Sequence, residues 1–195
     1  MYIPEIPDNN LKPLLEELVY IAKKLDEDEE ISEDDRFRVM FEFNRPATLE
    51  EIDTLEKELN VSLPAGYKDF LLFSNGAQLC GFTAEFIDTT GVTRISKLKK
   101  TPDFPEDYIT IARIIGDGEI LCFSRKTGEF IRYFEGKGTI YENFYEFFKW
   151  LIRFIRDSAG DYVELWCDEK VGESYTTEFR GLSRVKWTGT DLLYE

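Results

Sequence analysis

The sequence predicts an α+β fold in which a single, mostly antiparallel sheet packs against helices. Three observations carry that expectation. Apolar residues recur at helical spacing near both ends of the chain, in the stretches that begin at Leu11 and at Phe144. Between them lie β-prone runs parted by glycine-containing turns. Finally, 195 residues of which 43% are hydrophobic suffice to bury a core without disulfides or metal.

Taken in order, Leu11, Leu14, Leu15, Leu18, Ala22 and Leu25 predict an amphipathic helix over 10–25. Asp8-Asn9-Asn10 offer N-cap side chains, and Pro13 is tolerable in the first turn, where no backbone N–H is needed. The run from Asp26 to Asp35 is dominated by like charges that repel one another, which predicts an exposed, mobile loop. Phe37, Val39, Phe41 and Phe43 alternate with Arg36, Arg38, Met40 and Glu42, the period of a strand, stopped by Asn44-Arg45-Pro46.

Thr48-Leu49-Glu50-Glu51 fits a capping box, after which Leu49, Ile52, Leu55 and Leu59 mark a helix ending near Asn60. Pro64 suits the first position of a second helix whose apolar residues are Tyr67, Phe70, Leu71 and Phe73, closed by Asn75-Gly76. Leu79 to Leu98 reads as two strands around Gly91. Tyr108 to Phe134 reads as a β-meander with turns at Gly116-Asp117-Gly118 and Lys126-Thr127-Gly128. Phe144, Phe147, Phe148, Leu151, Ile152 and Ile155 predict the longest helix, over 141–156. Its other side carries Tyr145, Trp150 and Phe154, which are either buried, for instance under the N-terminal helix, or an exposed contact patch; burial is the expected outcome. Alternation from Asp161 and again from Thr176 to Trp187 extends the sheet at the C-terminal end. No repeat or linker divides the chain. The expected organisation is one domain over 1–195, with a core at 46–156, an N-terminal addition at 1–45 and a C-terminal β extension at 157–195.

Composition narrows the chemistry. There is no histidine, which excludes Ser-His-Asp and Cys-His nucleophile activation and removes the commonest metal ligand. Cys80, Cys122 and Cys167 lie far apart with no Cys-x-x-Cys pair, so they are expected to be small buried hydrophobes. A formal charge of −15 repels nucleic acid and anionic lipid and attracts a basic partner. The N-terminal residues lack the pattern of a signal peptide and no stretch is long enough to span a bilayer, which leads to an expectation of a cytoplasmic protein with no membrane partner. Gly116-Asp117-Gly118-Glu119 falls short of a calcium loop and reads as a hairpin turn. Lys97-Leu98-Lys99-Lys100 reads as a solvated loop. No cofactor, metal or catalytic centre is signalled, so the chain is not expected to be an enzyme. A hydrolase built on paired carboxylates is the weakest of the functional readings.

Ala47-Thr48-Leu49-Glu50-Glu51-Ile52-Asp53-Thr54-Leu55-Glu56-Lys57-Glu58-Leu59, then Leu63-Pro64-Ala65-Gly66-Tyr67-Lys68-Asp69-Phe70-Leu71-Leu72, then Asn75-Gly76, resembles the opening of the SUKH superfamily, the Smi/Knr-like domain family. Ile109 to Phe134 and Asn143-Phe144-Tyr145-Glu146-Phe147-Phe148 continue the resemblance, which covers residues 46 to 156. It implies a SUKH-like α+β fold. It also implies a group whose bacterial members are chiefly immunity proteins, which bind and neutralise toxins, often nucleases. Eukaryotic relatives act in cell-wall synthesis and signalling through protein contacts.

The leading expectation is therefore an immunity protein that binds a cognate, basic toxin domain stoichiometrically; the alternative is a regulatory scaffold. Asp26, Glu27, Asp28, Glu29, Glu30, Glu33, Asp34 and Asp35 are the candidate toxin-facing residues, because carboxylates can occupy the basic cleft that a nuclease offers to phosphates. The plain alternative for the same run is a solubilising loop. Exposed aromatics on the late helix would equally support a homodimer.

Overall fold

A computed structural model describes residues 1–81, 83–98, 107–114, 118–134 and 137–160, and the backbones of 184–188 and 191–194. The first helix, α1 (Lys12–Glu27), buries Leu14, Leu15, Leu18, Ile21, Ala22 and Leu25, with proline in its opening turn. Its N-terminus is held by Asn9, whose Oδ1 accepts from the Leu11 backbone N–H at 3.0 Å, rather than by a side-chain cap on the helix proper.

The following segment differs from the expected strand. Residues Glu33–Val39 form a second helix, α2, and only Glu42–Phe43 form strand β1. The Ser32 hydroxyl accepts from the Asp35 N–H, Glu33, Asp34 and Asp35 lie at the positive N-terminal end, and Arg36 and Arg38 lie in the last turn. Each placement favours a helix, so capping and the helix dipole override the alternating pattern. Phe37 is left 47% exposed, where a half-buried strand would have turned it inward with Val39.

Helix α3 (Leu49–Leu59) carries the expected capping box at Thr48 and Glu51 and ends on Asn60 in the left-handed conformation. Helix α4 (Ala65–Leu71) is capped by Pro64 and stops at Leu72, earlier than Asn75-Gly76. Asn75 has a different task. Its N–H donates to the Arg45 carbonyl at 2.9 Å, its Oδ1 accepts from the Thr89 N–H at 2.8 Å, and its Nδ2 donates to Thr89 Oγ1 at 3.2 Å. It ties the exits of β1 and α4 to the next helix.

That helix, α5 (Thr89–Ser96), stands where a strand around Gly91 was expected, between the short strand at Ala84–Phe86 and the meander. Asp88 Oδ1 caps it, accepting from the Gly91 N–H at 2.7 Å. A Cβ at Gly91 would fall 2.5 Å from Ile87 Cγ2, so the missing side chain lets the first turn close on the preceding residue. Local β propensity gives way to the cap and to burial of Val92.

The strands β1, β2 (Ala77–Leu79), β3 (Ala84–Phe86), β4 (Tyr108–Ile114), β5 (Glu119–Ser124), β6 (Phe130–Phe134) and β7 (Lys137–Tyr141) pair in sequence order, all antiparallel. Strand β7 is an element the sequence reading lacked; it pairs with β6 from Phe130↔Tyr141 to Phe134↔Lys137. The backbones of β8 (Arg184–Thr188) and β9 (Asp191–Tyr194) continue the same sheet. Ile114↔Glu119 closes the first meander hairpin; the Gly116-Asp117 of the expected turn lies outside the described residues, as do 161–183.

Helix α6 (Phe144–Ala159), capped by Asn143, covers one sheet face with Phe144, Phe147, Phe148, Leu151, Ile152 and Ile155, all buried. Burying each such side chain stabilises by about 1.5–3 kcal/mol. On its second side Trp150 and Phe154 stack at 5.3 Å, and the Arg132 guanidinium lies 4.0 Å from the Trp150 ring. Helix α1 packs on α6 and the Arg156–Glu17 pair at 2.7 Å joins them, so burial of this side is the outcome for Trp150, while Tyr145 stays 38% exposed. The opposite sheet face carries a smaller cluster of Tyr108, Cys122, Ile131 and Ile140.

Candidate functional site

The acidic run forms a hydrogen-bonded corner between two helices, where charge repulsion suggested a loop without regular structure. Asp26 and Glu27 are the last residues of α1, and Glu33, Asp34 and Asp35 are the first turn of α2. Between them Asp28 Oδ1 accepts from the Glu30 N–H at 2.8 Å, and Ile31 plugs into the core. Arg36 reaches back across the corner to donate to the carbonyls of Leu25, Asp26 and Asp28, the last at 2.6 Å. It thereby satisfies acceptors at the end of α1 that the helix itself cannot, and supplies positive charge at its negative pole.

The eight candidate carboxylates are thus brought together but divided in role. Asp26 pairs with the Met1 ammonium at 3.2 Å and Asp35 with Arg38 at 3.2 Å. Glu27, Glu29, Glu30, Glu33 and Asp34 are exposed. Beside them Phe37 and Met40 are exposed at 47% and 38%. The signal that could have shown the corner was Ser32 followed three residues later by Asp35, the same capping spacing recognised at Thr48.

A separate cavity of about 270 Å³ lies between α3 and α5. Helix α3 contributes Glu50, Glu51, Thr54 and Glu58 over a floor at Leu55, and α5 contributes Thr89, Thr90 and Thr93. Arg45 donates to both oxygens of Glu51, at 2.8 and 2.5 Å, and Lys97 donates to Glu58 at 2.8 Å. Lys97 is therefore engaged in an ion pair, while Lys99 and Lys100 lie outside the described residues.

The Arg45 guanidinium, followed by the Thr48 N–H, pulls the Glu51 carboxyl from the ordinary value of 4.5 down to about 2. A depressed carboxylate stabilises the fold above its unfolded pKa and loses that contribution as pH falls through its folded pKa. The wild-type protein is accordingly expected to lose stability between pH 4.5 and 2 more steeply than Glu51→Gln, which cannot titrate there. Thermal unfolding across that range checks it. At neutral pH, Glu51→Ala is expected to cost about 0.5–1.5 kcal/mol through loss of the carboxylate that accepts from the Thr48 N–H, while the Thr48 hydroxyl keeps its bond to the residue-51 N–H.

The buried reactive groups are poorly placed for chemistry. Burial pushes the Cys80 thiol up to about 11, away from the thiolate that a nucleophile requires. Burial, with the Asp88 carboxylate, also raises the Tyr67 hydroxyl, which sits wholly inside the core beside Phe123 and Phe144. Cys122 is likewise buried; Cys167 lies outside the described residues. Among the described residues no group of three or more Cys, Asp or Glu side chains is placed to hold a metal ion, and no helix is long and apolar enough to cross a membrane.

The order of capped α3, Pro64-led α4, the Asn75 clamp, the meander and the phenylalanine-rich α6 is matched by a family model, the SMI1 / KNR4 family (SUKH-1), over residues 46–153. The match covers more than half of the 195 residues. The chain belongs to the SMI1/KNR4 family. Over 71 residues, 36% of this chain, it is 35% identical to the uncharacterized protein YnaB of Bacillus subtilis (strain 168), and it spans about half, 46%, of that relative's length. The SMI1/KNR4 family includes immunity proteins and related regulatory proteins. The cavity between α3 and α5 lies within the SMI1/KNR4 match, whereas the acidic corner between α1 and α2 lies wholly outside it.

Proposed function

We propose that this protein is a cytoplasmic immunity protein that sequesters a basic, nuclease-type toxin domain in a stoichiometric complex, without turnover or cofactor. The acidic corner supports this reading most directly: five exposed carboxylates stand on a hydrogen-bonded corner, outside the SMI1/KNR4 region. A net charge of −15 adds long-range attraction for a cationic partner. Met40 and Phe37 add apolar area next to those charges.

Affinity capture from the source organism at low and high salt, with bound proteins identified by mass spectrometry, is the first test. Recovery of one basic toxin in equal amount to the bait supports sequestration; several housekeeping partners would instead favour the regulatory scaffold. With that toxin in hand, a variant with Glu27, Glu29, Glu30, Glu33 and Asp34 changed to Gln or Asn should associate roughly ten-fold or more slowly at low salt. The difference should fade as salt screens the charges. Equal association rates would remove the corner from the interface. Asp28 and Asp35 are left in place because they hold the turn.

A further inference from the structure

We propose that the cavity between α3 and α5 is a binding site for one arginine side chain presented by a protein partner. Its shape, its charge balance and its wall chemistry support this independently. At about 270 Å³ the cavity lies just below the range of about 300–1,000 Å³ typical of small-molecule and cofactor pockets, a size suited to a single long side chain. One wall is formed by Thr90 and Thr93 with Thr89, whose hydroxyl is held by Asn75, the other by Glu50, Thr54 and Glu58 at successive turns of α3, and the buried Leu55 completes the lining. Hydroxyl and carboxylate oxygens accept from a planar guanidinium, while an apolar floor suits the methylene stem that carries it.

The charge balance sets the stoichiometry. Glu51 is matched by Arg45 and Glu58 by Lys97, so three carboxylates against two cations leave one negative charge, that of the exposed Glu50. One monocation completes the set. Among the described residues no basic side chain lines the cavity, so a free amino acid would bring its own carboxylate against the uncompensated charge of Glu50. An arginine within a polypeptide has no such carboxylate. As a contact with a toxin the site rests on the sequestration reading; as a guanidinium site it stands without it.

The test is a backbone-amide NMR titration of the full chain with Nα-acetyl-arginine amide, Nα-acetyl-citrulline amide and free arginine. The blocked arginine should give saturable shifts confined to residues 50–58 and 89–93. Citrulline, nearly the same shape but uncharged, should give none, and free arginine should bind more weakly. Glu50→Gln should weaken the blocked arginine about two- to five-fold. Thr93→Val, which keeps the volume and removes a hydroxyl, should also weaken it without altering the fold's amide spectrum elsewhere. Equal response to citrulline, equal or tighter binding of free arginine, or shifts spread as strongly over residues 27–34 would overturn the proposal. Because no toxin enters the titration, its failure leaves sequestration standing, and a failed capture leaves this site standing.

Discussion

Phe144→Ala is expected to lower folding stability by about 3–5 kcal/mol, the cost of deleting a fully buried aromatic ring. Phe144 is 1% exposed, and its ring lies within 6.1 Å, centre to centre, of Tyr67, Phe70, Phe86, Phe130, Phe147 and Phe148. These rings come from α4, β3, β6 and α6, so the truncation loosens the junction of both helices with the sheet. The Gly66 backbone is close as well: a Cβ there would lie 3.0 Å from Phe144 Cβ. Neighbours in so tight a cluster cannot all move inward to fill the space, which puts the cost toward the top of the range for core truncations. Urea unfolding followed by tryptophan fluorescence measures it. Tyr145→Ala, next in sequence but 38% exposed, should change stability by no more than about 0.5 kcal/mol. Similar losses for the two variants would mean that α6 does not pack through Phe144.

Gly81→Ala should be the second large loss, and it should fall on the acidic corner. Gly81 has φ +60, and a Cβ there would lie 2.4 Å from the Arg38 carbonyl oxygen and 2.7 Å from its carbon. Both are backbone atoms at the end of α2, and the Gly81 N–H donates to the Met40 carbonyl at 2.8 Å. The substitution therefore adds a left-handed penalty of about 1–2 kcal/mol to a clash that only backbone movement relieves, typically another 1–3 kcal/mol. Gly128→Ala is the control. Gly128 also has positive φ, +76, but nothing lies within 4 Å of its would-be Cβ, so only the conformational penalty applies. Thermal denaturation should place Gly81→Ala well below Gly128→Ala, and hydrogen exchange should show α2 amides opening in the former alone. If the two variants match, α2 is not seated on Cys80-Gly81 as described. Loss of α2 should also weaken any partner that reads the corner, since the carboxylates would no longer be held by Arg36.

The contrast between Thr48 and Ser32 shows how much of the site was legible. Both hydroxyls accept from the N–H three residues on, but only Thr48 has the reciprocal bond to a carboxylate, and Ser32 sits inside a run of charges whose composition reads as disorder. What resolves that run is Arg36, whose bonds to three carbonyls depend on a fold-back of the chain over eight to eleven residues. Nothing in local charge content announces such a contact. The alternating Phe37, Val39, Phe41 and Phe43 misled for a related reason. Period two identifies a strand only where one face is buried, and Phe37 faces solvent.

The cavity was illegible for another reason. Glu50, Thr54 and Glu58 could be placed on one helix face from spacing alone, but Thr89, Thr90 and Thr93 read as strand, and the two sets meet where α5, its start held by Asn75, packs on α3. The Asn-Gly pair reads locally as a stop, while the bonds of Asn75 are to residues far along the chain.

The sequence by itself determined the helices at α1, α3 and α6, the meander from β4 to β6, and membership of the SMI1/KNR4 family. Those features follow from local periodicity, caps and turns, whose physics spans only a few residues. Helices α2 and α5 carry their caps, Ser32 and Asp88, in the local sequence under a competing β pattern; tertiary structure alone decided that the acidic residues stand on a corner held by Arg36 and that α3 and α5 line one open cavity. Each of these depends on hydrogen bonds or close contacts between segments that local propensity cannot weigh, and folding settles them by burial and by satisfying backbone groups across the chain.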